Sequence, residues 1–502
     1  MDFQSPCLCA NMRNMKKLFY SYYSTLLLCI FYVILNHSVF GDETSTARIV
    51  FDNHFGEIIN NKFSGEYNPF GYFFIVKIMV EIFGENNLGL RILSLCGYLV
   101  SLFLVHQIIW IWFKKKNFSH LNSFVLSFLP LAFYYSTIAR GYSCLLMFCL
   151  LNLYWLLKMY HNQHNHWHKI LYVLSLSIGL YFHYFLGLFL FILFLCGLCF
   201  LNLKRDCKYV STSLALTGIG VILFIPEFIT FLENLDHIAV WQQGYTKLNY
   251  LLRLVFVIYG FIFGETLVTT KSVFALLVAL AIFFLISIKQ WRTLFREKEK
   301  RFCLMFIVLG ALLVSLNRGA RPMYLIFALP FFSFLLSSIL DRAWQEKKYY
   351  LRLFMLGTLI LFFWSNSNWI MKNSNSFISP QATIDYPSYF QDYVKELDQN
   401  DLLLVSPSFN DMLVRLYVKR SIVVNIQYFD PFKNPENQIK DIFSKNYEQI
   451  ILFHEYQHPN IKLLKDFLNQ NFLSVQQVSL QHRGFKNRDQ YTYFEILKYS
   501  KI

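Results

Sequence analysis

Apolar runs about 20 residues long, the length of a membrane-crossing helix, recur between residues 17 and 371 of this chain. Hydrophobic residues make up 55% of the 502 residues and charged residues only 15%, whereas about a quarter of an ordinary soluble protein is charged. A run of this length spans the roughly 30 Å hydrocarbon core of a bilayer. The sequence therefore predicts a mainly α-helical, polytopic membrane protein with about 11 transmembrane helices. We place them near 17–40, 90–113, 119–138, 141–159, 169–183, 185–203, 209–232, 271–289, 302–317, 322–340 and 349–371.

Basic residues set the predicted orientation. The formal net charge is +15, and its lysines and arginines gather in short loops such as Lys114–Lys116, Lys204–Arg205 and Lys289–Arg301, as they do on the cytoplasmic side of membrane proteins. The loop 41–89 is instead rich in acids. We therefore expect residues 1–16 to be a cytoplasmic tail, and we expect the charge to mark topology rather than a nucleic-acid partner.

The first apolar span, residues 17–40, is longer than the apolar region of a cleaved signal peptide. No small-x-small cleavage site precedes Asp42, so we interpret it as an uncleaved span of a multi-pass protein of the plasma (inner) membrane. Residues 17–374 then form the transmembrane domain. Segments 69–83 and 249–264 carry isolated charges, and we expect them to be helices lying in the outer interface.

The composition changes to that of a soluble domain from residue 375. Strand-like runs at 402–405, 422–426, 449–453, 473–481 and 490–497 alternate with helical patterns at 386–397, 409–418, 434–445 and 461–472. This alternation predicts a C-terminal α/β domain over residues 375–502. An odd number of spans places this domain on the extracytoplasmic side.

The sequence contains only weak patterns for a metal-binding or redox site. The ten cysteines fall mainly in or beside apolar runs, and their positions indicate no disulfide framework. The histidine-rich loop 161–168 resembles a metal-binding tract, but its asparagine and glutamine neighbours favour a plain polar loop.

Several polar groups share the predicted outer helix ends. Placing a charged side chain within the bilayer costs free energy, so such residues often mark function. Taken singly, the acids fit solvated loop charges, the arginines fit interfacial side chains, and the tyrosines fit an aromatic belt. Only their joint placement on one face favours a site. These groups are Asp42-Glu43, Arg140-Gly141-Tyr142, His183-Tyr184, Arg318, and Arg321 with Tyr324.

This order of motifs resembles the GT-C superfamily of membrane glycosyltransferases. The similar branch contains the protein O-mannosyltransferases, the lipid A aminoarabinose transferases and the Rgt-type enzymes. The likeness covers roughly residues 17–371, with Asn68 where the family often has His and Thr137-Ile138 replacing a common Gln-Glu pair. The matching segments are Asp42-Glu43, Tyr67-Asn68-Pro69, Tyr135–Tyr142, His183-Tyr184, Arg321–Leu325 and Leu329-Pro330.

The resemblance implies an inverting transfer of a hexosyl or pentosyl group from a polyprenyl-phosphate donor to a hydroxyl. The acceptor is a cell-envelope glycan, a glycolipid or a protein on the outer face. An ionised carboxylate suits deprotonation of the acceptor, and Asp42 is our candidate. Glu43 would orient it, bind the sugar, or share a divalent cation; no cofactor is certain.

Arginine suits the leaving phosphate because its guanidinium pairs bidentately with phosphate oxygens. We therefore expect Arg140 and Arg321 to contact the phosphate. The remaining substrate-binding candidates are Asn68, Tyr142, His183, Tyr184 and Tyr324.

Three other functions remain open at this stage. A flippase or transporter of lipid-linked sugars would share the topology, but transporters commonly show internal repeats and midplane charges, which this sequence lacks. A non-catalytic scaffold would not require the acidic pair. A polysaccharide polymerase or ligase would share both topology and chemistry.

Overall fold

The structure is a computed structural model of the chain. It describes residues 6–37, 39, 42–60, 68–114, 116–200, 203–233, 250–264, 296–317, 320–345, 349–371, 398, 400–406, 425–429, 434–445, 447–455, 459–480 and 494–501. The predicted span 271–289 lies outside the described residues.

Helices dominate residues 6–371. They are α1 (Pro6–Asn36), α2 (Asp42–Asp52), α3 (Phe55–Ile59), α4 (Phe70–Phe83), α5 (Asn87–Phe113), α6 (Lys116–Phe128), α7 (Pro130–Ser136), α8 (Tyr142–His161), α9 (His166–Phe182), α10 (Phe185–Phe200), α11 (Leu203–Ile222), α12 (Ile225–Glu233), α13 (Tyr250–Phe263), α14 (Lys298–Leu316), a 3₁₀ segment (Pro322–Ala328), α15 (Leu329–Gln345) and α16 (Tyr349–Ile370).

Three of these stretches are both long and apolar enough to cross a membrane, judged by length and composition within the described residues. They are Asn87–Phe113, Tyr142–His161 and Pro322–Arg342. The larger predicted number of spans stays a prediction.

Prolines account for places where a predicted span is broken. The predicted span 119–138 is divided at Leu129, because Pro130 opens α7 and lacks the N–H that a continuous helix would need. The predicted span 209–232 divides between α11 and α12, where Pro226 occupies the first turn of the second helix. Pro322 likewise begins the 3₁₀ segment that leads into α15.

The loop after the first span is more structured than the sequence analysis predicted. It contains α2 and α3 as well as the expected interfacial helix α4, on which Lys77 Nζ lies 3.2 Å from Glu81 Oε1. Gly84, at a φ of 89°, ends α4 in a conformation that favours glycine. The Asn86 side chain then caps α5 by accepting from the N–H groups of Leu88 and Gly89.

The described strands form one five-stranded sheet in the order β2-β1-β3-β5-β4. The central strands pair in parallel and β5 pairs antiparallel with both neighbours. Buried Leu402, Leu404, Ile450 and Leu452 pack against helices on one side. The elements are β1 (Leu402–Ser406), β2 (Asn425–Tyr428), α17 (Pro435–Ile442), β3 (Gln449–Glu455), α18 (Pro459–Asn471), β4 (Phe472–Leu480) and β5 (Phe494–Lys501).

The sheet contains the strands expected at 402–405 and 449–453, and it has the mixed pairing of an α/β unit. The strand expected at 490–497 is instead Phe494–Lys501. The helical patterns at 386–397 and 409–418 lie outside the described residues. The domain boundary at 375 and the side of the membrane on which this sheet lies stay predictions.

The close approach of α4 to α9 gives a test of this packing. A Cβ added at Gly71 would lie 2.6 Å from the backbone oxygen of Tyr181, so we expect Gly71→Ala to destabilise the fold by about 1–3 kcal/mol, the usual cost of overpacking. Gly187→Ala on α10 is the matched control, because nothing lies within 4 Å of its added Cβ. Thermal unfolding in detergent measures the difference, and equal unfolding temperatures would contradict this packing.

Candidate active site

Glu43 is a buried anchor. Its Oε1 accepts from Arg91 Nε at 2.8 Å and its Oε2 from Arg91 Nη2 at 2.7 Å, and both side chains are 1% exposed. Oε1 also accepts the backbone N–H of Ala139 at 2.6 Å. Bidentate, charge-assisted bonds of this kind are strong and directional. One carboxylate therefore joins the start of α2, the first turns of α5 and the turn that follows α7.

Arg91 extends the same network to the end of the first helix. Its Nη1 donates to the backbone oxygens of Ile34 at 3.1 Å and His37 at 2.8 Å. The sequence analysis did not identify Arg91. It could have done so, because Arg91 is a single charge near the start of an otherwise apolar span and such charges usually mark function.

These contacts bear on the predicted catalytic pair. Asp42 begins α2 directly before Glu43, and its side chain lies outside the described part of the structure. Glu43 is enclosed by hydrogen-bond donors of the protein itself, which favours a positioning role for this residue over contact with substrate. The catalytic assignments of both acids stay predictions.

The turn of residues 137–141 is held from several sides. Thr46 Oγ1 donates to the backbone oxygen of Ala139 at 2.9 Å, and Ser94 Oγ donates to that of Arg140 at 3.1 Å. Trp369 Nε1 donates to Thr137 Oγ1 at 3.0 Å. The Arg140 side chain, 9% exposed, is thereby presented from a fixed backbone.

A second contact links α16 to the first helix. His37 Nε2 lies 3.2 Å from the backbone oxygen of Ile370, and the His37 and Trp369 rings meet edge to face with centroids 4.7 Å apart. The last turn of α16 is therefore fixed to both the end of α1 and the turn that carries Arg140.

A small cleft brings four of the predicted substrate-binding residues together. Its walls include Asn68, Arg140, Tyr142 and His183, together with Tyr72, Phe73, Gly141 and Phe182. These residues come from the start of α4, the turn before α8 and the end of α9. The predicted convergence of distant helix ends is thus present in the geometry.

Tyr324 lies beside Tyr142, one of the residues that line this cleft. The Tyr324 ring stacks on Phe185 with centroids 4.7 Å apart, and it lies 6.3 Å from the ring of Tyr142. Arg321 directly precedes the 3₁₀ segment that carries Tyr324 and is partly buried. Arg318 lies outside the described residues.

His183 is held as a neutral imidazole at the junction of α9 and α10, outside both helices. The Phe185 N–H donates to its Nδ1 at 3.3 Å. Burial, followed by the nearby charge of Arg140, lowers the pKa of His183 to about 3. Since Nδ1 accepts a bond, the proton of the neutral ring resides on Nε2. The cleft therefore holds one cation, Arg140, beside a polar but uncharged histidine.

Tyr184 points into different surroundings from His183. Its hydroxyl donates to Glu227 Oε1 at 3.3 Å, and its ring packs against Phe224. Burial and the Glu227 charge raise the pKa of Tyr184, which keeps the phenol protonated as a donor. The sequence analysis did not single out Glu227, which is 4% exposed. An acidic residue directly after Pro226 in an otherwise apolar stretch could have drawn attention to it. A substrate contact for Tyr184 stays a prediction.

No three His, Cys, Asp or Glu side chains gather to hold a metal ion within the parts of the chain that the structure describes.

Part of the chain matches a known family, and the whole chain resembles solved structures in fold. Residues 67–229 match the family model of dolichyl-phosphate-mannose-protein mannosyltransferase. ArnT from Cupriavidus metallidurans bound to undecaprenyl phosphate has a similar fold, with a TM-score of 0.59 and 13% identity over 96% of this chain and 98% of that one. Apo ArnT from the same organism gives 0.58 and 12% identity over 97% and 98%. No curated protein sequence matches the chain.

The family match over residues 67–229 and the fold shared with ArnT both agree with the predicted resemblance to GT-C membrane glycosyltransferases.

The buried ion pair yields a stability prediction. Arg91→Met leaves the Glu43 carboxylate buried without its main partner, which typically costs about 3–5 kcal/mol. Lys77→Met is the matched control, since its partner Glu81 is 59% exposed and such i,i+4 pairs contribute about 0.5 kcal/mol or less. We expect Arg91→Met to unfold at a clearly lower temperature in detergent, and adding Glu43→Leu to recover part of the loss. Similar melting of the two single variants would contradict this assignment.

The environment of His183 predicts an acid-sensitive fold. Its pKa is lower in the folded protein than its ordinary 6.5, so between these values the unfolded state binds more protons. The stability is fully present above pH 6.5 and falls as the pH drops toward 3, by about 1.4 kcal/mol for each pH unit. We expect His183→Asn to lose less stability than the wild type between pH 7 and pH 5. Identical pH profiles of unfolding would show that His183 is not buried as a neutral ring.

Proposed function

We propose that this protein transfers a sugar, with inversion, from a polyprenyl-phosphate donor to an acceptor hydroxyl at the Arg140 cleft. The observation that carries the proposal is the 2.6 Å bond from the Ala139 N–H to Glu43. It fixes the backbone turn bearing Arg140 to the residue that follows Asp42, so a candidate base and a phosphate-binding cation come from neighbouring backbone positions.

The chemistry requires one group on each side of the transferred sugar. Asp42 takes the proton from the acceptor hydroxyl, whose oxygen attacks the anomeric carbon. The bond from that carbon to the donor phosphate breaks on the opposite face, and the polyprenyl phosphate leaves with the electron pair. Attack opposite the leaving group inverts the anomeric configuration.

The cleft supplies what the leaving phosphate needs. Arg140 keeps its charge at any physiological pH and offers a planar fork of donors, and its low exposure strengthens the attraction to an anion. His183, neutral with its proton on Nε2, adds a donor without competing as a second cation. Asn68 and Tyr142 line the same space. Tyr324 lies beside Tyr142, and Arg321 directly precedes the 3₁₀ segment that carries Tyr324.

The similar fold of ArnT, solved with undecaprenyl phosphate, supports a lipid phosphate as the leaving group. The acceptor that we propose is a hydroxyl of a cell-envelope glycan, a glycolipid or a protein. The basic loops support an orientation with the N-terminus in the cytoplasm, and with the cleft and residues 375–502 on the extracytoplasmic side.

Asp42→Asn tests the proposed base. The amide is nearly isosteric but cannot accept the proton, so we expect kcat for sugar transfer to fall by at least about 100-fold, with little change in unfolding temperature. Asp52→Asn, at the other end of α2, is the matched control and should keep full activity. The assay uses purified protein in detergent with polyprenyl-phosphate sugars. A transporter of lipid-linked sugars would give no product in this assay, because a detergent micelle has no second leaflet to which the lipid could be moved. Unchanged transfer by Asp42→Asn would remove Asp42 as the base.

Arg140 variants test the phosphate contact separately. Arg140→Ala should reduce kcat/KM for the donor by about 100-fold, and Arg140→Lys should recover only part of it, because lysine keeps the charge but not the fork. If alanine and lysine variants both retained wild-type kcat/KM, Arg140 would not bind the leaving group.

A further inference from the structure

A second cavity lies away from the Arg140 cleft. It encloses about 490 Å³ between α8, α9, α10, α11 and the first turn of α14, a volume typical of sites for small organic ligands. Leucine and aromatic side chains, among them Leu153, Leu157, Leu193 and Phe302, form most of its wall.

The cavity opens at the opposite end of the helices from the cleft. α8 runs from Tyr142 at the cleft to His161, α9 returns from His166 to Phe182, and α10 leaves again toward Phe200. His161 and Phe200 therefore mark the far end, and both line the cavity. Leu190, the lining residue of α10 nearest the cleft, is about 15 Å from Phe200 along the helix axis. The cavity thus extends from the far end to roughly the middle of the bundle.

Two tyrosine hydroxyls deep in this cavity are bonded to the protein. Tyr172 OH lies 2.8 Å from Thr217 Oγ1, and Tyr209 OH donates to the backbone oxygen of Leu156 at 3.0 Å. The Ser213 hydroxyl is buried without a hydrogen-bond partner among the described residues, but most of the wall is leucine and aromatic. The interior is therefore largely hydrocarbon-like and suits an apolar chain better than a polar solute.

The mouth of the cavity is cationic. Lys298 and His161 line it, together with one acid, Glu299. The 19-residue helix α14 begins at Lys298, and the N-terminus of a helix attracts anions. Arg301 and Lys158 are nearby, lying over the rings of Phe200 and Tyr154. Glu297 is engaged by Lys300 at 2.7 Å, so it offsets little of this positive charge.

We propose that this cavity binds a glycerophospholipid with an anionic headgroup, drawn from the leaflet at the far end. One acyl chain fills the apolar interior, and the phosphate lies at Lys298 and the first turn of α14. The phosphate at this mouth is distinct from a donor phosphate held at the Arg140 cleft, because the 17 residues of α9 separate the two ends by about 25 Å. The bound lipid joins the α8–α9–α10 group, which carries His183, to α14.

Lipid retention tests the interior of the cavity. The full-length protein is reconstituted in nanodiscs of equal parts phosphatidylglycerol and phosphatidylcholine, extracted in mild detergent, and examined by native mass spectrometry. We expect the wild type to retain one phosphatidylglycerol and Ser213→Phe, which fills the cavity, to retain at least tenfold less. Ser211→Phe is the matched control, because Ser211 lies on the same helix and is exposed; it should behave as the wild type.

The charge at the mouth is tested without disturbing the interior. Lys298→Glu should reduce the preference for phosphatidylglycerol over phosphatidylcholine about fivefold, whereas Arg296→Glu makes the same charge change at an exposed residue outside the lining and should leave it unaltered. Thermal unfolding confirms that each variant is folded.

Three outcomes would overturn the proposal. They are equal retention by the wild type and Ser213→Phe, no preference for the anionic lipid in the wild type, and displacement of the retained lipid by an equal amount of polyprenyl phosphate. The last result would identify the cavity as a site for the donor's class of lipid instead.

Discussion

The ion pair between Glu43 and Arg91 is the interaction on which the rest of the site depends. Two side chains that are almost fully buried remain charged only because the protein supplies their partners: each other, the Ala139 N–H, and the backbone oxygens that end the first helix. A buried ion pair is seldom a large net source of stability, because desolvation offsets most of its attraction. Its directional bonds fix geometry instead, and here they fix the end of α1, the starts of α2 and α5, and the turn after α7 relative to one another.

Electrostatic asymmetry follows from that arrangement. The Glu43 carboxylate is paired with Arg91, so it does not neutralise Arg140. His183, which lies next to Arg140, is uncharged. Arg140 lines the cleft as a cation, and its Nη1 also donates to Thr46 Oγ1 at 3.5 Å. The Glu227 carboxylate accepts a hydrogen bond from the Tyr184 phenol on the other side of the α9–α10 junction. The buried acid there is therefore separate from Arg140 and His183.

Much of this architecture could be predicted because the bilayer imposes a strict pattern on the sequence. The helix at 69–83, the long helix at 90–113 and the strands near 402 and 449 all follow from apolar periodicity and length. Arg140, Tyr142 and His183 were grouped from their shared placement at helix ends, and Asn68 was added from the family resemblance. The breaks at Pro130 and Pro226 were missed because the flanking runs were apolar enough to be interpreted as continuous spans.

Other features depend on contacts that a linear sequence does not contain. Arg91 and Glu43 are 48 positions apart, and neither residue alone says that the other will neutralise it. Helix α2 was missed because its composition is that of a polar loop; Thr46, bonded to Ala139, and buried Val50 only become informative once α5 and the 137–141 turn are beside them. The different surroundings of His183 and Tyr184 depend on the bend between α9 and α10, which adjacency in the sequence conceals.

The hydrogen bond from Trp369 to Thr137 has a mechanical consequence. α16 ends at Ile370, and its final turn is bonded both to the end of α1 and to the segment bearing Arg140. A pull on the polypeptide beyond Met371 is therefore transmitted through an indole and a threonine hydroxyl to a position three residues from the guanidinium. We therefore expect the last turn of α16 and the turn that carries Arg140 to move together.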